Sequence, residues 1–224
     1  MKYIRKHASP TEFEAWKIQE NPQNWDVLQS FIPEERREEG LVYYSKQQLR
    51  ELLLTEQGYL CCYCTQEIDH TPKTTIEHLF PQAEDEDKGK IFDYMNLLAC
   101  CNGGEQDPKP RQQHCGLARG SKPLLITPLM PDCESYFMYD QEGHILPTTS
   151  EAKQTIEILQ LDIPKLKNLR EIAISQYVFV DEDKRTLISP EDAKLLINRL
   201  QQRDQYDKFK PFCVAIMNIL RQIS

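Results

Sequence analysis

The chain has 224 residues, 40% of them hydrophobic and 28% charged, and a formal net charge of -8. That length supplies one or two domains with a sizeable core, and the mixed composition excludes a disordered or fibrous chain. The acidic balance excludes a protein that coats nucleic acid unaided, because phosphate binding draws on local Lys and Arg that release counterions, so such contact is local or shared with a partner.

The opening MKYIRKHASPTEFEAW has cations with no apolar stretch behind them, and no window reaches the roughly 20 apolar residues of a membrane span. A cytoplasmic, reducing location away from membranes is expected, where clustered cysteines bind metal more often than they pair. Lys2, Arg5 and Lys6 read as a solvated charged surface. Ser9-Pro10-Thr11-Glu12 predicts a helix start, with Ser9 as cap, Pro10 in the first position and Glu12 closing a capping box, and the helix runs to about Gln19. Trp16 and Trp25 flank it as core or interface anchors. A second start at Ser45, with Leu49, Leu52 and Leu53 on one face and Gly58 as the stop, predicts a helix that leads into Cys61.

From residue 59 to 146 the texture changes to short apolar runs broken by Gly, Pro and Asn. Strands are predicted at Thr74-Thr75-Ile76 and over 134–139, the latter turning at Asp140-Gln141-Glu142-Gly143 and returning through His144-Ile145-Leu146. Six cysteines fall between Cys61 and Cys115. Cys61-x-x-Cys64 places two thiolates of one tight turn within reach of one tetrahedral zinc, and Cys100-Cys101 with His114-Cys115 offer the other half. The assignment is Cys61, Cys64, Cys101 and Cys115, with Cys100 or His114 as substitutes. A redox role suits the pair less, because it follows a helix and lacks the helix N-terminus that lowers a thiol pKa.

Between the halves lie Glu77-His78 at the end of a β-type run and Asn96-Leu97, with Cys101 five residues past Asn96. After Pro147 the pattern turns helical, with Ile156, Leu159, Leu166, Leu169 and Ile172 apolar, a break at Leu187-Ile188-Ser189, a new start at Ser189-Pro190 and an amphipathic tail over 209–223. The expected organisation is an N-terminal helical segment 1–58, a core 59–146 and a C-terminal helical region 147–224. His7, His70 and His144 read as surface residues, and Cys133 and Cys213 as packing residues.

The ordered set C-x-x-C, Glu-His, Asn-Leu, Cys resembles the HNH (ββα-metal) endonuclease family. The resemblance implies an α+β fold, a zinc-braced ββα-metal core flanked by helices. It also implies a structural Zn2+ and a catalytic Mg2+ or other divalent cation. On it His78 is the general base, Asn96 holds the hairpin so that the His ring is oriented, and Glu77 binds the catalytic cation. Such chemistry needs a base near neutral pKa and a cation to neutralise charge on the phosphodiester.

The third motif position departs from the family, because residues 102–113 separate Cys101 from Cys115 and Gly116 offers no side chain. His114 then stands as a catalytic-metal ligand or as a zinc ligand. Lys122 falls where the family keeps a cation for the phosphate, and Lys109, Arg111 and Arg119 form with it a local basic patch that is the candidate nucleic-acid contact.

The opening Met1 to Lys6, the Cys-x-Tyr-Cys knuckle, Ile76-Glu77-His78, the run from Asn96 to Cys101 and His114-Cys115 together look like the HNH subunits of Septu anti-phage systems, over residues 1–146. That likeness implies an ATPase partner resembling PtuA and a DNA or RNA substrate. Some retron operons employ such subunits too, which adds a reverse transcriptase and its DNA–RNA hybrid as partners, with the C-terminal helices as the docking part. Two further classes stay open: a zinc-braced nucleic-acid-binding module without catalysis, and a stand-alone nuclease.

Overall fold

The computed structural model describes residues 1–34, 38–81, 89–104, 112–181, 183 and 186–224. Helix α1 spans Thr11–Glu20 and α2 spans Lys46–Glu56. Strands β1 (Thr74–His78) and β2 (Leu97–Cys101) follow, then the short α3 (Cys115–Arg119). Strands β3 (Phe137–Tyr139) and β4 (Ile145–Pro147) precede α4 (Ser150–Leu159), α5 (Pro164–Val178), α6 (Pro190–Leu200) and α7 (Cys213–Ile223). The mixture of helices with two small antiparallel sheets fits the expected α+β class.

Local signals account for most boundaries. Ser45 caps α2 by accepting from Gln48 N–H at 3.2 Å, and Ser189 caps α6 by accepting from Asp192 N–H at 3.1 Å. At α1 the cap differs from the expected box: Pro10 occupies the cap position, and the Ser9 hydroxyl bonds the Glu14 carboxylate instead of a backbone N–H. Strand β3 starts later than the sequence suggests, because Cys133–Tyr136 forms a 3-10 turn.

Strands β1 and β2 pair antiparallel, with Thr74 opposite Cys101 and His78 opposite Leu97. Helix α2 packs against both strands, and α3 against β2. In the C-terminal half α7 packs against α5, α6 and β3. Its residues Val214, Ala215, Ile216, Met217, Ile219 and Leu220 are all buried, so the tail is enclosed on most sides. Burial of each large aliphatic side chain contributes roughly 1.5–3 kcal/mol. Phe13, Leu53, Leu97, Phe137, Leu159 and Leu220 belong to one continuous apolar core.

The first residues are part of that core. The Lys6 ammonium, 1% exposed, meets the Glu56 carboxylate at 2.5 Å and the Leu97 carbonyl at 3.0 Å. Glu56 also accepts from His7 N–H at 2.6 Å. The expectation of a solvated patch at Lys2, Arg5 and Lys6 therefore fails for Lys6: its ion pair ties the N-terminal segment to α2 and β2. Among the described residues no helix is long and apolar enough to cross a membrane.

Candidate active site and cysteine cluster

The β1–β2 pair carries a cysteine cluster at one end and the Glu-His pair at the other. At the first end a tight turn over 60–67 folds back on itself, with Cys61 N–H bonding Gln66 O at 2.9 Å and Thr65 N–H bonding Cys61 O at 3.1 Å. Gln57, buried at the end of α2, fastens this turn to β2: its amide donates to Leu60 O (2.9 Å) and Ala99 O (2.8 Å) and accepts from Ala99 N–H (2.7 Å).

The result is that the sulfurs of Cys61, Cys64, Cys101 and Cys115, all buried, lie within 4.8 Å of one another. Cys61 and Cys115 are 3.9 Å apart, and Cys64 and Cys101 are 4.0 Å apart. A tetrahedral zinc with Zn–S bonds of about 2.3 Å sets sulfurs about 3.8 Å apart, so this donor set fits such an ion. The Cys101 N–H points at Cys61 Sγ at 3.4 Å, a bond that favours thiolate at Cys61. Hydrogen bonds from Cys100 and Cys115 pull the Cys101 thiol down to about 3. Burial pushes Cys64 and Cys115 up. Cys61, Cys62 and Cys100 form a second group sharing Cys61, which the spacing of the motifs did not single out.

The insertion between the cysteine halves is closed at its base. His114 N–H bonds Gly103 O at 2.9 Å, and Gly103, at φ +61°, faces the His114 carbonyl so closely that a Cβ would collide with it. The His114 ring stays on the sulfur side, with Nδ1 at 3.1 Å from Cys115 Sγ and 3.8 Å from Cys101 Sγ.

At the other end, side chains of adjacent strand residues point to opposite faces, and Glu77 and His78 do so. The His78 ring, 8% exposed, stands edge-on to Trp25 with centroids 4.5 Å apart. Its Nε2 lies 3.0 Å from the Ile91 carbonyl. A carbonyl can only accept, so Nε2 holds the proton and Nδ1 is the basic nitrogen of the neutral ring. Ile91 sits in the connection between the strands, and Asn96 braces that connection. Its amide accepts from Phe80 N–H (2.5 Å) and donates to Phe80 O (3.1 Å) and Lys90 O (2.9 Å). A cleft of about 360 Å³ opens beside this brace, lined by Phe80, Lys90, Asn96, Pro123 and Leu124 among others.

Glu77 faces α3. Its Oε1 accepts from the Arg119 guanidinium at 2.7 Å and from the Tyr63 hydroxyl at 2.9 Å. Its Oε2 lies where a Cβ on residue 116 would sit, which explains the glycine there. Burial raises the Glu77 pKa against the opposing pull of Arg119. Arg119 is 1% exposed, and it also donates to the carbonyls of His78 (2.9 Å), Leu79 and Lys122 (2.9 Å). It thus locks the end of β1 to α3 with its guanidinium turned inward. Lys122 is exposed at the turn after α3. Lys109 and Arg111 lie outside the described residues.

A hard divalent cation takes about six oxygen ligands. The described residues bring one carboxylate, Glu77, to this place, and the ligand groups they form are those of cysteines. They do not by themselves make a seat for Mg2+. Tyr63 and the Ile91 carbonyl are parts of the site that the sequence pattern left unassigned, and Trp25, expected as a core or interface anchor, packs against His78. Tyr63 sits inside the knuckle motif, and that position was the one available signal.

No protein-family model matches the chain. It is 27% identical over 143 residues to a Vibrio cholerae serotype O1 biovar El Tor protein named as the candidate HNH endonuclease of retron Vc95, covering 60% of this chain and 67% of that one. It is 23% identical over 209 residues to an Escherichia coli protein named likewise for retron Ec83, covering 76% of this chain and 78% of that one.

Proposed function

We propose that the chain is an HNH-type endonuclease that hydrolyses phosphodiester bonds of nucleic acid, with His78 as the general base. The observation that carries this reading is the fixed tautomer of His78. The Ile91 carbonyl holds the proton on Nε2, and Asn96 braces the connection from which that carbonyl comes. Two distant relatives named as HNH endonucleases support the same reaction class.

In this reading Nδ1 of His78 takes a proton from a water molecule as its oxygen attacks phosphorus, and the leaving oxygen is protonated from solvent. The Ile91 carbonyl stabilises the imidazolium that forms. Arg119 acts as a positioning residue through the carbonyls of His78 and Leu79, and Lys122 offers an exposed cation to the phosphate. Glu77 is the described residue that would hold a catalytic cation, through Oε2. The four-cysteine cluster would hold a structural Zn2+ through Cys61, Cys64, Cys101 and Cys115. Zinc there braces the hairpin and takes no part in bond cleavage.

The retron names of the relatives and the motif likeness over residues 1–146 support a role as a PtuB-like subunit in anti-phage defence, working with an ATPase resembling PtuA. Leu169 and Ile172 on α5 and Leu195 on α6 are exposed apolar side chains that such a partner would cover.

The test is cleavage of single- and double-stranded DNA and RNA by the protein co-purified with its operon partners, with His78→Ala as the variant. A positioned general base contributes about 10²- to 10⁴-fold, so His78→Ala is expected to lose cleavage by that factor while keeping metal content and fold. A stable and fully active His78→Ala protein would end this reading.

A further inference from the structure

The acidity of the chain is not evenly spread. A cleft of about 340 Å³ against the cysteine knuckle is lined by Lys2, Arg5 and Cys61, and it shares Arg203 with a cleft of about 570 Å³ lined by Arg199, Lys210, Tyr177 and Tyr206. Arg203 lines both, so the two clefts adjoin there and make up a single candidate groove.

The wall of the groove is held in one shape. Arg203 donates to Thr55 O (2.9 Å) and Glu56 O (2.7 Å) at the end of α2 and pairs with Asp207 at 2.8 Å. Asp204 accepts from Tyr206 N–H (2.8 Å) and Lys208 N–H (3.0 Å), and Phe209 N–H bonds Gly58 O at 3.0 Å. This frame presents the Tyr206 ring 69% exposed.

The carboxylates in and beside the groove are each held by a nearby group, although Asp204 stays ionised. Glu56 is buried against Lys6, Asp204 is occupied by backbone N–H groups, and Glu67 pairs with Lys208. Arg5, Arg199 and Lys210 are exposed and have no ion-pair partner among the described residues. Cations spaced along a groove beside an exposed aromatic face suit a phosphate backbone whose unpaired bases can stack.

We propose that this groove binds a single strand of nucleic acid, with phosphates on Arg5, Arg199 and Lys210 and a base on Tyr206. It is a contact separate from the Glu77–His78 end, and it stands without the nuclease reading because binding requires no cleavage. It also reconciles an overall charge of -8 with a nucleic-acid ligand.

The experiment is fluorescence anisotropy of a labelled oligo-dT strand with the full-length protein at several salt concentrations, without added divalent cation. Arg199→Glu with Lys210→Glu is expected to weaken binding at least tenfold and to flatten the slope of log affinity against log salt by about 1.4, roughly 0.7 for each lost phosphate contact. Tyr206→Ala is expected to weaken binding about tenfold with the salt slope unchanged, and Tyr206→Phe to restore it. His78→Ala should bind as wild type, so failure of the catalytic reading leaves this one readable. Unchanged affinity in the charge-reversed protein would overturn the proposal. So would equal competition by polyglutamate, which would make the groove a site for acidic protein, or equal binding of a duplex with no effect of Tyr206→Ala.

Discussion

The two ends of the β1–β2 pair are built by different chemistry for the same purpose. At the Cys101 end, four thiol sulfurs converge within 4.8 Å and the chain is organised around what they can bind. At the His78 end no such ligand set gathers among the described residues, and order comes from side chains that bond backbone: Asn96 on Phe80 and Lys90, Arg119 on His78, Leu79 and Lys122. Each end also has a buried side-chain amide, Gln57 at one and Asn96 at the other, that ties a turn to its strand. A hairpin too small to hold itself, five residues per strand, is thus clamped from both sides by groups distant in sequence.

The largest effect is expected from removing the cysteine end. Metal binding at such sites supplies on the order of 10 to 16 kcal/mol of apparent folding free energy at neutral pH. Cys64→Ser is expected to leave little soluble protein, and a chelator to unfold the wild type. Metal analysis of the purified protein checks this, and a chain carrying clearly less than one zinc would contradict it.

The His78 end should give way less completely. Arg119→Met strips the largely enclosed Glu77 carboxylate of its cation, and breaking a buried pair of this kind costs up to about 3–5 kcal/mol. Denaturant unfolding should show that loss with the metal content of the surviving protein unchanged. Coupled loss of metal would mean the two ends do not act separately.

Smaller effects compare the two amides directly. Asn96→Ala takes away the bonds of its amide to Phe80 N–H, Phe80 O and Lys90 O, at a cost of roughly 1–3 kcal/mol, and should lower cleavage because the Ile91 carbonyl is no longer fixed against His78. Gln57→Ala should cost a similar amount of stability, measured by thermal unfolding, yet leave cleavage nearly intact. Equal losses of activity in the two would remove the distinction between a bracing end and a reacting end. The smallest change expected is at Ser45, which bonds neither end of the strand pair, where Ser45→Ala loses the α2 cap for about 1 kcal/mol and should alter neither metal content nor cleavage.

Sequence alone determined what depends on short spacing. The Cys61-x-x-Cys64 turn, the caps at Ser45 and Ser189, the strand around Ile76 and the hairpin near Gly143 are local events, set by residues a few positions apart. Only the tertiary structure decided what long-range packing controls. Spacing left His114 between two roles, and the fold brings its ring to the sulfur side, because the closure at Gly103 aims it there. Its charged neighbours placed Arg119 among the cations for nucleic acid, yet it lies buried on Glu77, 42 positions away along the chain. Lys6, a solvated cation by its neighbours in sequence, is enclosed by Glu56 and the Tyr94 ring. A charge is drawn inward only where an opposite charge and backbone acceptors meet it, and no local pattern records which distant groups will do so.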